Sequence, residues 1–289
     1  MTSLAHWVEG ARPRTLPAAV SPVLVGSGAA AAASSFVWDR ALLALLVALA
    51  LQVGVNYAND YSDGIRGTDE VRVGPLRLVG SGVATPRSVK LAAFSAFGVA
   101  AVAGLVLALL TTPWLLLVGV ASIAAAWGYT GGTNPYGYRG FGEVFVFVFF
   151  GLVAVMGTTY VQVERLTWLS VAGGIASGAL ACAILVTNNV RDIPTDREHD
   201  KLTLAVRLGD TRSRLLYQGL VVVPFVFAAI AAVARPGALL ALLAVPLTIA
   251  PLKAIRSGAV GRDLIAVLQA TGKLQLAFGV LLGAGLALA

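Results

Sequence analysis

The sequence predicts an all-α polytopic membrane protein of nine transmembrane helices, and three observations carry that reading. Only 12% of residues are charged and 58% are hydrophobic, where a soluble domain carries about 25% charge. Long uncharged runs such as "ALLALLVALALQVGV" (41–55) recur along the whole chain, as membrane helices require. The strict two-residue alternation of an outer-membrane barrel is missing.

The apolar runs place spans at 15–34, 38–59, 88–111, 113–130, 141–162, 168–190, 213–233, 237–255 and 266–288. The eighth contains Pro246 and Pro251 and is expected to kink. Of the 21 Lys and Arg residues, 17 fall on or against one side of this arrangement, and only Arg40, Arg165 and Arg235 on the other. The remaining one, Lys273, lies inside the ninth span, where a polar cavity contact would explain its depth. The basic bias predicts a cytoplasmic N-terminus, an outside C-terminus and location in the cell (inner, cytoplasmic) membrane. The opening "MTSLAHWVEGARPRTLP" lacks an apolar h-region, so the first span itself is expected to direct insertion. Two polar loops, about 60–87 and 191–212, then face the cytoplasm, and residues 1–289 form a single domain.

Several functions are excluded early. Cys182 is alone, so no internal disulfide forms, and it reads as a small buried hydrophobe. His6 and His199 are the only histidines, which leaves no zinc or haem constellation. The net charge of +7 matches basic cytoplasmic loops rather than nucleic acid. No Walker loop is present.

The informative residues end two apolar helices. In "NYANDYSDGIRGTDE" (56–70), Gln52, Asn56, Asp60 and Asp63 recur at helical spacing, and Asp69 and Glu70 follow. In "NNVRDIPTDREHDKLTLAVRLG" (188–209), Asn188, Asp192, Asp196 and Asp200 share one face of a continued helix. Like charges at this spacing oppose a helix, and acids at bilayer depth cost a few kcal/mol each. Two such clusters on one side require a cation. Oxygen ligands alone select Mg²⁺ or Ca²⁺. Arg66, Arg72 and Arg77, then Arg191, Arg197 and Lys201, add phosphate-binding charge. Together they suit a diphosphate held at the membrane face on a lipid-tailed substrate. Asn56, Asn59 and Asn188 either orient the carboxylates or bond helix ends. Glu143 either faces the site or caps a helix. A transporter would also use intramembrane acids, but these cluster at one face rather than at the midplane.

These residues resemble the UbiA superfamily of intramembrane aromatic prenyltransferases. Asn59, Asp60 and Asp63 match its first acidic motif, and Asp192 and Asp196 its second. Gly67 stands where a third aspartate is expected, which instead arrives at Asp69. The stretches "ARPRTLPAAVSPVLVG", "NDYSDGIRGTDEVRVGPLRLVGSG" and "NPYGYRGFGEVFVFVFFG" resemble the branch that acts on 1,4-dihydroxy-2-naphthoate in menaquinone synthesis; siblings use homogentisate or 4-hydroxybenzoate. The resemblance implies a nine-helix bundle around a central cavity, capped by cytoplasmic loops. It implies Mg²⁺, a polyprenyl diphosphate and an aromatic acid as partners, with loss of diphosphate and CO₂. Asp60, Asp63, Asp192 and Asp196, with Asp69, are then the metal ligands. Asn56, Asn59, Arg77, Tyr129, Asn188, Arg191 and Lys201 bind substrate, Tyr129 facing the allylic cation. Thr133 stands where some members have a lysine four residues after that tyrosine.

Overall fold

The computed structural model describes residues 2–67 and 76–288. Its regular structure is helical throughout, and each predicted span has a counterpart. These are α2 (Pro17–Ala32), α3 (Trp38–Ile65), α4 (Pro86–Leu110), α5 (Trp114–Gly128), the continuous stretch from α6 (Gly142–Val146) to α7 (Ala154–Val163), α8 (Trp168–Glu198), α9 (Leu204–Ala232), the pair formed by a 3-10 helix (Pro236–Ala244) and α10 (Pro246–Arg256), and α11 (Asp263–Leu288). Among the described residues, six helices are long and apolar enough to cross a membrane, and two bent pairs bring the number to eight. At 15 residues, α5 is shorter than the ~20 that span a bilayer unaided. The chain is a multi-pass membrane protein.

Local chemistry sets the boundaries. Pro86 opens α4 behind Thr85, whose side chain accepts from the Ser88 amide; Thr167 does the same for Ser170 at the start of α8. The predicted kink falls at Pro246, where the paired helices bend by 45°, while Pro251 sits inside α10 without a break. One helix was not foreseen. α1 (Leu4–Ala11) is capped by Ser3 and meets α2 at a 49° bend through a short 3-10 turn.

The two polar loops are shorter than their sequence suggests. α3 runs on to Ile65 and α8 to Glu198, so the acidic motifs lie in the last turns of helices, with their acids buried. Asp200 does not share their face. It lies beyond α8 with φ of 53°, exposed, because the helix stops at Glu198.

α8 is the central post, with 78% of its apolar window buried. Its sequence "SVAGGIASGALACA" lets neighbours approach to backbone contact, as membrane helices do without a hydrophobic drive. A Cβ on Gly151 would lie 2.5 Å from the Gly178 Cα. Here the helical stretch between α6 and α7 widens into a π turn, Phe147–Val153. On the opposite side, a Cβ on Gly28 of α2 would sit 2.2 Å from the Gly283 carbonyl of α11. The far end of the bundle is tied by Arg40, which donates to the Val161 and Leu110 carbonyls and pairs with Glu164 at 2.9 Å.

Helix packing at Gly28 is therefore expected to fail sharply on substitution. Gly28→Val should lower the thermal unfolding temperature in detergent by several degrees. Gly98→Ala, whose Cβ meets nothing within 4 Å, should leave it unchanged or raised, since alanine is the better helix former by about 1 kcal/mol.

Candidate active site

A cavity of about 980 Å³ opens between α3, α5, α7 and α8. Its polar end lies at the acidic helix ends and carries Asn56, Asn59, Asp63, Arg77, Tyr129, Asn188, Asn189, Arg191 and Lys201. Away from that end its walls are apolar, and they reach Leu107, Leu115 and Val161 near the opposite ends of α4, α5 and α7. One side is a run of rings. Tyr136 stacks on Phe145 at 3.9 Å between centroids, and Phe145 on Phe149 at 6.1 Å, while Tyr129 meets Tyr136 edge-on. The π turn swings Phe149, Phe150 and Val153 onto this wall, a common use of such turns. Burial pushes the Tyr136 hydroxyl above its ordinary pKa, and it donates to the Ala125 carbonyl at 2.8 Å.

The four predicted acids are all buried, but they are not equivalent. Of these, Asp63 alone lines the cavity; Asp192, Asp196 and Asp60 do not, and Asp60 is held by backbone. Its two carboxylate oxygens accept from the Leu78 and Val79 amides at 2.8 and 2.9 Å, so it pins the loop that follows the first motif. That loop presents Arg77 to Asp63, Nη2 to Oδ2 at 3.9 Å. Asp63 also accepts from the Tyr138 hydroxyl at 2.8 Å. On α8, Arg191 forks onto Asp192, Nε–Oδ1 2.7 Å and Nη2–Oδ2 2.8 Å, and bonds the Asn188 Oδ1. Lys201 lies 3.5 Å from Asp196. Asp69 lies outside the described residues.

Tyr138 joins the two clusters, and the sequence reading gave it no role. Its hydroxyl meets Asp63 while its ring faces Lys201 Nζ at 5.1 Å and the Arg66 guanidinium at 5.3 Å. Arg66 in turn donates to the Thr130 and Gly132 carbonyls, and the Thr130 hydroxyl donates to Asn59 Oδ1 at 2.8 Å. The stretch "NPYGYRGFGEVFVFVFFG" that holds it supported the family resemblance, but nothing in it assigned this tyrosine a contact.

Asn56 serves the N-terminal segment. Its Nδ2 donates to the Ala11 carbonyl and the Thr15 hydroxyl, both at 2.9 Å. Lys273 is exposed on the outer surface of α11 and does not line the cavity. The depth argument fails because α11 presents it outward, where a lysine stem can snorkel. Glu143 does not cap its helix in solvent. It is 7% exposed and accepts from Asn189 Nδ2 at 2.9 Å. Cys182 is buried beside it, as expected.

Among the described residues, no three His, Cys, Asp or Glu side chains stand close enough to hold a metal by themselves. Mg²⁺ does not need them: it takes one or two carboxylates, with waters and substrate phosphates completing its shell. Asn59 and Asp63 on α3 line the polar end, and Asp192 and Asp196 on α8 are oxygen donors of that kind that do not themselves line the cavity but pair with its Arg191 and Lys201. The donor set fits the ion.

A buried, doubly charged rim over a long apolar chamber defines a membrane protein built for a charged head on a lipid tail. The chain belongs to the UbiA prenyltransferase family, which matches residues 19–263. It is 58% identical to the 1,4-dihydroxy-2-naphthoate octaprenyltransferase of Mycobacterium tuberculosis, over 99% of this chain and 98% of that one. It is 42% identical to the Escherichia coli protein of the same name, over 72% and 70% of the two chains. Among solved structures, the UbiA homologue of Archaeoglobus fulgidus bound to GPP and Mg²⁺ superposes with a TM-score of 0.71 at 14% identity, covering 98% and 99% of the chains. That of Aeropyrum pernix K1 gives 0.71 at 18%, covering 93% and 96%. These two similarities establish the fold.

The divided roles of the acids lead to a measurable contrast. Asp60→Asn leaves one of two backbone amides without an acceptor, a loss of about 1–3 kcal/mol. It should lower the unfolding temperature and speed proteolysis within the loop at 76–84. Asp192→Asn, which alters the fork with Arg191, should leave that loop as protected as in the wild type.

Proposed function

We propose that this chain transfers a polyprenyl group from an allylic polyprenyl diphosphate to 1,4-dihydroxy-2-naphthoate, releasing diphosphate and CO₂ and yielding demethylmenaquinol. The observation that carries this is the 58% identity over 99% of the chain to a protein of that named activity. The cavity supports it, since an apolar chamber with a charged rim suits both halves of a prenyl diphosphate. The whole chain works as one domain, because the cavity walls are drawn from Glu9 through Gln269.

The chemistry follows from these residues. Asn59, Asp63, Asp192 and Asp196 would hold Mg²⁺, with Asp69 a further candidate. Mg²⁺ supplies positive charge against the leaving diphosphate. Arg77, Arg191 and Lys201 take phosphate oxygens, and Asn188 steers Arg191. Asp60 acts at one remove, by fixing the loop that carries Arg77. The tail extends along the apolar walls. The allylic C–O bond breaks with its electron pair leaving on the diphosphate. Tyr129 and the adjoining rings face the cation and keep water from it. A ring carbon of the acceptor then bonds the terminal prenyl carbon, and the ring sheds its carboxylate as CO₂ in place of a proton. Asn56 holds the N-terminal segment over the cavity beside Arg12 and Arg14.

The catalytic face is cytoplasmic, the C-terminus lies outside, and the membrane is the cell membrane. The 17-to-3 distribution of basic residues supports this orientation. Cysteine labelling checks it, as Cys182 is buried. A thiol introduced by Asp200→Cys should react only from the cytoplasm, and one from Leu166→Cys only from outside.

Activity is tested with purified protein, Mg²⁺, prenyl diphosphates of several lengths and three acceptors: dihydroxynaphthoate, homogentisate and 4-hydroxybenzoate. Mass spectrometry should find a decarboxylated prenyl product from the first alone. EDTA should abolish the product and Mg²⁺ restore it. Asp63→Asn and Asp192→Asn should each slow turnover by hundreds-fold or more, the scale of a lost charge clamp of about 3–4 kcal/mol. Prenylation of another acceptor, or full turnover in EDTA, would overturn the reading.

A further inference from the structure

Glu143 is the only carboxylate between Glu70 and Glu164. It opens α6 beside the ring wall, and burying it there is costly. The fold offers little return. Its Oε1 accepts from Asn189 Nδ2 at 2.9 Å, and its Oε2 meets no partner among the described residues. A leucine would pack the same space without that cost. The carboxylate does one thing that an apolar or amide side chain cannot. A carboxylate only accepts, so the Asn189 amide must point its NH₂ at Glu143 and its Oδ1 the other way. Asn189 lines the cavity, and Oδ1 is therefore an acceptor of fixed direction on its wall. Beside it, Tyr129 leans on the Gly142 turn; a Cβ there would meet its ring at 3.3 Å. A run of rings continues from that point, Tyr129 edge-on to Tyr136 and Tyr136 stacked on Phe145.

We propose that Asn189, oriented by Glu143, accepts a hydrogen bond from a phenolic hydroxyl of the aromatic acceptor and sets its pose beside these rings. Glu143 is a positioning residue, acting through Asn189. This deepens the prenyltransferase reading and rests on it. The prenyl diphosphate presents no hydroxyl of this kind, so the pair discriminates between the two substrates. A hydroquinone-type acceptor satisfies Oδ1, whereas a ring without the hydroxyl leaves it bare, which is how buried polar groups reject analogues.

The test compares wild type, Glu143→Gln, Asn189→Leu and the double exchange Glu143→Gln with Asn189→Asp, each checked by thermal unfolding. Initial rates are measured against dihydroxynaphthoate and against the prenyl diphosphate separately. Glu143→Gln allows the Asn189 amide to turn over. It and Asn189→Leu should raise the acceptor KM about tenfold, the worth of one hydrogen bond, with the prenyl diphosphate KM within about twofold. In the double exchange the amide and the carboxylate trade places. The new amide on α6 donates to the new carboxylate on α8, whose second oxygen again faces the cavity, so the acceptor KM should return toward wild type. A naphthoate lacking the hydroxyl should inhibit the wild type more weakly than its hydroxylated counterpart does, and Asn189→Leu should erase that difference. If the wild type turns over and the acceptor KM is unmoved in both single variants, or both KM values rise alike, the inference fails alone. If the wild type makes no prenylated naphthol, the function itself fails.

Discussion

Buried charge is the constraint on which the rest of this molecule depends. Asp60, Asp63, Asp192 and Asp196 are each less than a tenth exposed, in a protein whose surroundings are hydrocarbon. Every one has donors within reach: two backbone amides, a tyrosine with an arginine, an arginine fork, and a lysine. Removing the partner of a buried ion pair costs about 3–5 kcal/mol. The loops that supply those donors must therefore stay in place. This accounts for the cap. The turn at 76–84, the segment 130–141 and the start of the chain after α8 are all held down by the charges they neutralise.

Helical spacing decides which acid does which job. Asp60 and Asp63 are three residues apart on α3, which rotates their side chains by about 60°. One faces the following loop and the other faces the cavity. The motif thus combines a loop anchor and a cavity-lining acid on a single turn. The anchored loop delivers Arg77 to the neighbouring acid, so the structural aspartate and the cavity aspartate are coupled through one side chain. Spacing on α8 is four, and Asp192 and Asp196 consequently share a face, each with its own cation.

The spans and the two acidic helix ends were legible in the sequence because both signals are local. An apolar run needs no knowledge of its neighbours, and Asp recurring at three and four residues implies a common face if the helix continues. What was not legible depends on partners distant in the chain. Asn56 looked like a substrate-binding residue, but its amide is used 45 residues away at Ala11. Lys273 looked internal because its depth was known and its rotation about α11 was not. Tyr138 gained its place from a loop whose path the sequence does not specify, and Glu143 from an asparagine 46 residues on. α1 was missed because eight residues with an exposed face are too short a periodic signal.

The acid–cation pairs also explain how one site can bind a multiply charged head without a large electrostatic penalty. On the proposed reading, a diphosphate arrives with its own divalent cation. Asp63, Asp192 and Asp196 would then hold the metal in place of Arg77, Arg191 and Lys201, and those cations would meet phosphate oxygens in exchange. Each buried charge keeps an opposite neighbour throughout. Guanidinium forks suit this exchange, since carboxylate and phosphate present the same paired oxygens. The apolar chamber below needs no such compensation, and its close glycine contacts and π turn serve shape alone. The cavity's charges thus sit at one end, and the rest of its length is walled by apolar side chains.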